Sequence, residues 1–200
     1  KYGHPGQFGY KDFIKDFKAE HFDPDAWAAL FKKAGAKFAG PVAEHADGFA
    51  MWDSALTKWD AKDMGPKRDV VGEMEKAIRR QGLKFITTFH HQWLWAWYPT
   101  WDERYDCSNP AYAGLYGPKT QPGDFKDPHP SDSFSERWML KVNEVVDKYQ
   151  PDLLWFDSRT GTIGDRFRRE MVAHYYNAAA TWGREVGITY KREDLPDGVG

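Results

Sequence analysis

The feature that most constrains the fold is a unit that occurs four times, in which a helical pattern is followed by a short apolar run. The helical patterns cover residues 24–34, 69–80, 133–149 and 165–182. The apolar runs behind them are residues 36–43, 83–89, 152–156 and 186–190. Helices that alternate with short apolar strands predict a parallel sheet covered by helices, the α/β class.

The helix ends carry local signals that support this division. Asp23 and Pro24 form an N-cap and a first-turn proline ahead of the first helical pattern, which is a regular helix start. Gly35, Gly82 and Gly183 follow three of the patterns, and glycine commonly ends a helix. The first apolar run, residues 36–43, is expected to be one strand that is buried on both faces.

Two architectures fit the pattern, an open doubly wound sheet and a (β/α)8 barrel. No glycine-rich phosphate motif follows any strand, so the usual signature of a nucleotide site is missing. Polar residues instead follow successive strands: Glu44, His45 and Asp47 after the first, His90 and His91 after the second, Asp157 and Arg159 after the third, and Lys191, Arg192 and Glu193 after the fourth. Strand ends that contribute to one face are how a (β/α)8 barrel builds its site, so this TIM-type barrel is the predicted fold.

The predicted strands make up only about half of such a barrel. A (β/α)8 barrel takes roughly 250 residues, and the 200 residues contain four β/α units. We therefore treat residues 1–200 as a partial catalytic domain. The missing half is expected either from the rest of a longer protein or from a partner chain in a homo-oligomer.

Charge and composition exclude several classes of partner. The formal net charge is only −2, which argues against nucleic acid. No apolar run is long enough to span a membrane. Cys107 is the single cysteine, so no internal disulfide or cysteine-ligated zinc site is expected. His90 and His91 are adjacent, so on a strand they point to opposite faces; we predict no metal and no cofactor.

Aromatic residues are concentrated in one segment. Four of the ten tryptophans lie in "QWLWAWYPTWD", residues 92–102, a stretch with prolines and turn residues behind it. They cannot all be core residues. Exposed aromatic rings at this density suit stacking on the apolar faces of sugars, and they also suit protein interfaces.

Asp157 is the strongest single candidate for a catalytic residue. It directly follows the apolar run Leu153–Phe156, and Trp155 lies two positions earlier on the same side of the strand. One interpretation is an aspartate that caps the next turn. The other is the nucleophile of a retaining glycosidase, which pairs one carboxylate with a second carboxyl group about 5 Å away.

The sequence as a whole resembles a known family. The run "FKAEHFDPDAWAALFKKAGAKFAGPVAEHADGFAMWDSALTKWDAKDMGPKRDVVGEMEKAIRRQGLKF", and after it "DLLWFDS" and "GITYKREDLP", resemble the α-L-fucosidases of glycoside hydrolase family 29. The resemblance covers essentially the whole chain. It implies a (β/α)8-like catalytic domain, a metal-free retaining mechanism, substrates with a terminal α-L-fucosyl residue, and a secreted, periplasmic or lysosomal location.

The resemblance also implies roles for individual residues. Asp157 matches the nucleophile of the family's W-x-D motif, and Trp155 matches the aromatic residue that packs on the sugar. His45 falls on the first histidine of the K/E-H-H-D-G-F motif, which hydrogen-bonds fucose hydroxyls. The other substrate-binding candidates are His90, Trp52 and Lys191.

Three departures from the family pattern keep a second function open. Ala46 occupies the place of the motif's second histidine. The acid/base glutamate is expected beyond Gly200, and the H-W-G motif of the family's first strand has no counterpart. The alternative to a fucosidase is therefore a non-catalytic or impaired carbohydrate-binding protein. In "ADG", residues 46–48, we expect Asp47 and Gly48 to shape a turn.

Overall fold

The computed structural model describes residues 1–191 and 194–195. The α-helices are α1 (Pro24–Lys33), α2 (Val70–Arg80), α3 (Ala113–Tyr116), α4 (Asp132–Tyr149) and α5 (Asp165–Trp182). The strands are β1 (Phe38–Ala39), β2 (Val42–Glu44), β3 (Lys84–Phe89), β4 (Leu153–Phe156) and β5 (Gly187–Thr189). Short 3₁₀ helices cover Tyr10–Asp16, His91–Leu94, Asp106–Ser108, Pro110–Tyr112 and Thr160–Thr162.

The long helices begin and end where the sequence signals place them. Asp23 accepts a hydrogen bond from the backbone N–H of Ala26 at 3.0 Å, and Asp69 accepts one from Gly72 at 2.9 Å. Each cap satisfies an N–H that has no partner within its own helix. Gly183 follows α5 with a φ of +65°, a conformation that favours glycine. The predicted helix boundaries are thus confirmed.

All the strands are parallel, and their order follows the chain. β1 and β2 both pair with β3, β3 pairs with β4, and β4 pairs with β5. The order of the described strands shows no reversal, whereas a doubly wound sheet reverses direction at its switch point. The sheet is therefore an arc of a barrel. This agrees with the prediction made from the polar residues that follow successive strands.

The two faces of the sheet differ in their surroundings. One face packs under α2, α4 and α5, and its side chains are fully buried; they include Phe85, Phe89, Leu154, Phe156 and Ile188. The opposite face lines an open cavity of about 590 Å³ with Ile86, Thr88, Leu153, Trp155 and Thr189. This second face is the inward side of the barrel arc, so the carboxyl ends of the strands form the rim of that cavity.

The prediction of one strand over residues 36–43, buried on both faces, is wrong in two respects. The chain forms two short strands that are separated by Gly40 and Pro41. Pro41 has no N–H to donate, and Gly40 passes so close to β3 that a Cβ atom there would lie 1.5 Å from the Ile86 carbonyl oxygen. Phe38 is 55% exposed and Val42 is 37% exposed, because their side of the sheet is not covered by helices.

No helix among residues 1–191 and 194–195 is long and apolar enough to cross a membrane.

Candidate active site

Polar side chains from four strand ends meet at one rim of the sheet. His45 follows β2, His90 follows β3, Asp157 follows β4, and Lys191 lies just past β5. The His45 and His90 rings stack with their centroids 4.3 Å apart. The Lys191 Nζ lies 2.5 Å from Oδ1 of Asp157. Because the carboxyl ends of parallel strands share one edge, residues far apart in sequence come into direct contact here.

The main chain of Asp157 is fixed on both sides. Its N–H donates to the Phe89 carbonyl oxygen at 3.1 Å, which continues the pairing of β3 with β4. Its carbonyl oxygen accepts hydrogen bonds from the Gln92 Nε2 at 2.7 Å and from the Thr160 hydroxyl at 3.0 Å. Gln92 and Thr160 are both fully buried. The backbone of the residue is therefore held rigidly at the rim.

The Asp157 carboxylate is strongly stabilised in its ionised form. Nδ1 of His90 lies 3.2 Å from Oδ2, off the angle of a regular hydrogen bond. Burial by itself would raise the pKa of Asp157, but the contacts from Lys191, from the Ser158 backbone and from His90 outweigh it and lower that pKa to about 2. The group is therefore a carboxylate at neutral pH.

His90 is the central ring of the group. It stacks on His45 on one side and lies against Trp155 on the other, with centroids 5.4 Å apart at 49°. Burial lowers the pKa of His90, and the neighbouring His45 and Lys191 act in the same direction against the opposing effect of Asp157. At neutral pH the ring is uncharged, so it is available to donate or accept hydrogen bonds at the cavity.

His91 turns away from this rim, as expected for the neighbour of a rim residue. Its ring is buried and stacks on Trp138 at 5.9 Å, with Nε2 3.3 Å from the Trp138 carbonyl oxygen. Burial lowers the pKa of His91 well below its usual value. In the described part of the chain, no three His, Cys, Asp or Glu side chains converge in a way that could hold a metal ion.

Trp155 gives the site an apolar wall. Its side chain lies on the inward face of β4 and lines the open cavity together with His90 and Thr189. The Lys191 Nζ lies 5.5 Å from the centroid of the Trp155 ring. An ionised carboxylate, a cation, two stacked imidazoles and an indole are thus in contact at one rim. His90 and Trp155 line the open cavity, and His45 lines an adjacent cavity of about 740 Å³ with Tyr10 and Asp47. This combination suits a neutral polyhydroxylated ligand such as a sugar.

Comparisons with known proteins agree with this geometry. The family model described as alpha-L-fucosidase matches residues 1–199. The chain belongs to the α-L-fucosidase family. Tissue alpha-L-fucosidase of Rattus norvegicus is 35% identical over 158 residues, which cover 78% of this chain and 30% of the rat protein. The human tissue enzyme is 34% identical over 155 residues, which cover 77% of this chain and 29% of that protein.

Solved structures of the α-L-fucosidase family share the fold. The alpha-fucosidase of Thermotoga maritima in complex with fucose superposes with a TM-score of 0.69 at 28% identity, over 93% of this chain and 40% of that one. The catalytic domain of these relatives is a (β/α)8 barrel, and the present sheet is part of such a barrel. The chain spans about 30% of the length of the curated relatives that it matches.

One predicted substrate-binding residue of this fucosidase-family chain lies elsewhere. Trp52 is fully buried in the hydrophobic core, and its Nε1 donates to Glu144 Oε2 at 2.8 Å. Its ring has no surface that a ligand could contact. The assignment of Trp52 to the substrate site is therefore wrong: a tryptophan seven residues past His45 packs under the helix layer, which proximity in sequence could not reveal.

The turn after His45 has the structure expected of it. Asp47 Oδ1 accepts from the Phe49 N–H at 2.9 Å, and Gly48 has a φ of +81°. Asp47 Oδ2 also accepts from the Tyr10 hydroxyl at 2.7 Å. Ala46 is 1% exposed, and its methyl group offers no hydrogen-bonding atom to the rim.

A buried ion pair behind the rim was not anticipated from sequence. Nζ of Lys141 on α4 lies 2.7 Å from both carboxylate oxygens of Glu44, and the two side chains are 3% and 0% exposed. Burial raises the pKa of Glu44, and Lys141 partly offsets that effect. The Glu44 carbonyl oxygen accepts from the His90 N–H at 2.9 Å. The available signal was a lysine at helical spacing among the core residues Trp138 and Val145.

Proposed function

We propose that the protein is a retaining α-L-fucosidase in which Asp157 is the nucleophile. The observation that supports this most directly is an ionised carboxylate at the end of a barrel strand, beside Trp155 and the stacked rings of His45 and His90. The substrate class, glycans or glycosides that end in an α-L-fucosyl residue, follows from membership of the family.

In the first step, a carboxylate oxygen of Asp157 attacks the anomeric carbon while the bond from that carbon to the leaving oxygen breaks. A second carboxyl group donates a proton to the leaving oxygen, so the aglycone departs as an alcohol. The sugar is now an ester on Asp157. The proton donor is not identified among the described residues.

In the second step, water attacks the same carbon and the ester bond to Asp157 breaks. The proton of the water passes to the second carboxylate, and L-fucose leaves with its original anomeric configuration. Lys191 and His90 hold the Asp157 carboxylate ionised and oriented before the attack. Trp155 offers a ring to the apolar face of the sugar, and His45 offers ring nitrogens to its hydroxyls.

The test is to replace the nucleophile in the intact protein. Asp157→Gly should lower turnover of 4-nitrophenyl α-L-fucoside on the order of 10³-fold or more, because the covalent route is lost. Added azide should restore nitrophenol release, since azide can enter the space of the missing carboxylate. The product should be β-L-fucosyl azide, because only one displacement then occurs; proton NMR identifies its anomeric configuration.

Asp157→Asn is the matched control, since it keeps the shape of the side chain and removes the charge. It should fold like the wild-type protein and be equally inactive. Wild-type turnover in either variant, or rescue that yields the α-azide, would show that Asp157 is not the nucleophile.

Ala46 supports a second candidate, a protein that binds fucosylated glycans without hydrolysing them. The methyl group cannot replace the hydrogen bond of an imidazole, and Ala46 is buried. Calorimetric binding of L-fucose together with no detectable turnover of the aryl fucoside by the wild-type protein would favour this candidate over the enzyme.

A further inference from the structure

Three aromatic side chains of the long loop after β3 form a cluster that we call the aromatic platform: Trp93, Trp97 and Phe125. Their ring centroids lie 6.2 Å (Trp93 to Trp97), 6.2 Å (Trp93 to Phe125) and 6.1 Å (Trp97 to Phe125) apart. The Arg159 guanidinium carbon lies 3.9 Å from the Trp93 ring centroid and 4.5 Å from that of Phe125. Cation–π contacts of this length hold the rings together.

The platform is attached to the loop that carries the proposed nucleophile. Arg159 comes two residues after Asp157, so at 3.8 Å per residue their Cα atoms are at most about 7.6 Å apart. On the other side, Gln92 immediately precedes Trp93, and its amide donates to the carbonyl oxygens of Asp157 at 2.7 Å and Ser158 at 3.1 Å. The aromatic platform is therefore anchored to the two residues that follow the proposed nucleophile in the chain.

The platform is not part of the hydrophobic core. None of its three rings belongs to the core clusters of the described residues, and Trp97 and Phe125 are both 44% exposed. Large apolar rings that group on a surface generally mark a binding site.

The platform is also held in place before any ligand arrives. Arg159 Nη2 donates to the Phe125 carbonyl oxygen at 2.5 Å. Arg159 itself has a left-handed backbone with a φ of 75°, which is uncommon for a residue with a side chain. These features fix the geometry of the rings in advance, which lowers the entropy cost of binding.

We propose that the aromatic platform binds the pyranose ring to which the fucosyl residue is attached, the leaving group of the reaction. This rests on the proposed function, because it assumes that the fucosyl residue occupies the cavity beside Asp157. The next sugar then extends out of that cavity across the neighbouring rings. The C–H face of a neutral pyranose stacks on aromatic rings, and the Arg159 charge is already engaged by Trp93 and by the Phe125 carbonyl oxygen.

The experiment compares substrates with and without a second ring in the intact protein. The variants are Trp97→Ala and Phe125→Ala, whose side chains are half exposed and lie outside the core. For fucosyl disaccharides that carry galactose or N-acetylglucosamine, we expect kcat/KM to fall roughly five- to tenfold in each variant, the value of one stacking contact. For α-L-fucosyl fluoride, whose leaving group is a single atom, kcat/KM should stay within about twofold of wild type.

Trp101→Ala is the matched control. Trp101 belongs to the same loop and is 38% exposed. Its indole makes none of the ring contacts that join Trp93, Trp97 and Phe125 in the described structure. The variant should leave both substrates unaffected. Equal losses on both substrates in the platform variants, or no loss on either, would overturn the assignment.

A binding measurement separates this proposal from the proposed function. In the Asp157→Asn background, Trp97→Ala should weaken calorimetric binding of the best disaccharide about tenfold and leave binding of free L-fucose unchanged. If the wild-type protein hydrolyses no fucoside, the proposed fucosidase activity is refuted. The binding comparison still tests whether the aromatic platform binds the second sugar. Equal disaccharide affinity with and without Trp97 would refute the subsite even in an active enzyme.

Discussion

Removal of Lys141 should expose how much the buried ion pair behind the rim contributes to stability. In Lys141→Met the Glu44 carboxylate, which is fully buried, loses the cation that lies 2.7 Å from both of its oxygens. An uncompensated buried charge costs about 3–5 kcal/mol of unfolding free energy. For a chain of this size that corresponds to a fall in Tm of roughly 6–20 °C.

The loss of unfolding free energy caused by Lys141→Met should depend on pH in a defined direction. Burial raises the pKa of Glu44, and loss of Lys141 raises it further in the folded state. A carboxyl whose pKa is raised on folding favours the folded state at low pH, and this contribution is lost as the pH rises through the folded-state pKa. The penalty of Lys141→Met should therefore be larger at pH 8 than at pH 5.

Urea unfolding followed by tryptophan fluorescence measures these differences, with Glu44→Leu/Lys141→Met as the control. The double variant removes both charges, so it should recover most of the lost free energy. A Lys141→Met protein within about 1 kcal/mol of wild type at both pH values would refute the reasoning, because it would show that water or another group solvates Glu44.

Two further predictions follow from the site and the sheet. Lys191→Met should raise the pKa of Asp157 from its value of about 2, so kcat/KM should begin to fall at a higher pH on the acid side of the pH–rate profile; an unchanged acid limb would contradict this. Gly40→Ala should destabilise the fold by about 3 kcal/mol or more in urea, since its Cβ would meet the Ile86 carbonyl oxygen at 1.5 Å. Gly35→Ala, with a φ of +87° and open space around it, is the control and should cost about 1–2 kcal/mol.

Most of the site is visible in the sequence because parallel strands share an edge. The barrel hypothesis predicts that the polar residues after successive strands meet, and the contacts among His45, His90, Asp157 and Lys191 bear this out. Glu44 and His91 are instead buried in the interior, and Arg192 and Glu193 lie outside the described residues. What the pattern does not contain is which oxygen or ring each side chain contacts. The contacts of His90 with His45 and with Trp155 depend on register and rotamers that only the packed sheet defines.

Other side chains were placed wrongly or overlooked for the same reason. Trp52 looks like a rim residue in sequence but is buried under the helix layer. Lys141 looks like a surface lysine but pairs with Glu44, 97 residues away. Arg159 gives no signal in sequence that it joins Trp93 to Phe125. Each case depends on a contact between distant segments.

The sequence by itself therefore determined the alternation of helices and strands, the helix ends at Asp23, Asp69 and Gly183, the α/β barrel class and the candidacy of Asp157. These properties come from periodicity, from caps and from the order of strands, all of which are local. The tertiary structure alone decided the break at Gly40, the exposure of Phe38, the burial of Trp52 and Glu44, and the contacts of Arg159 with the aromatic platform. The reason is that burial and partner choice are properties of how the layers pack, and no single segment carries that information.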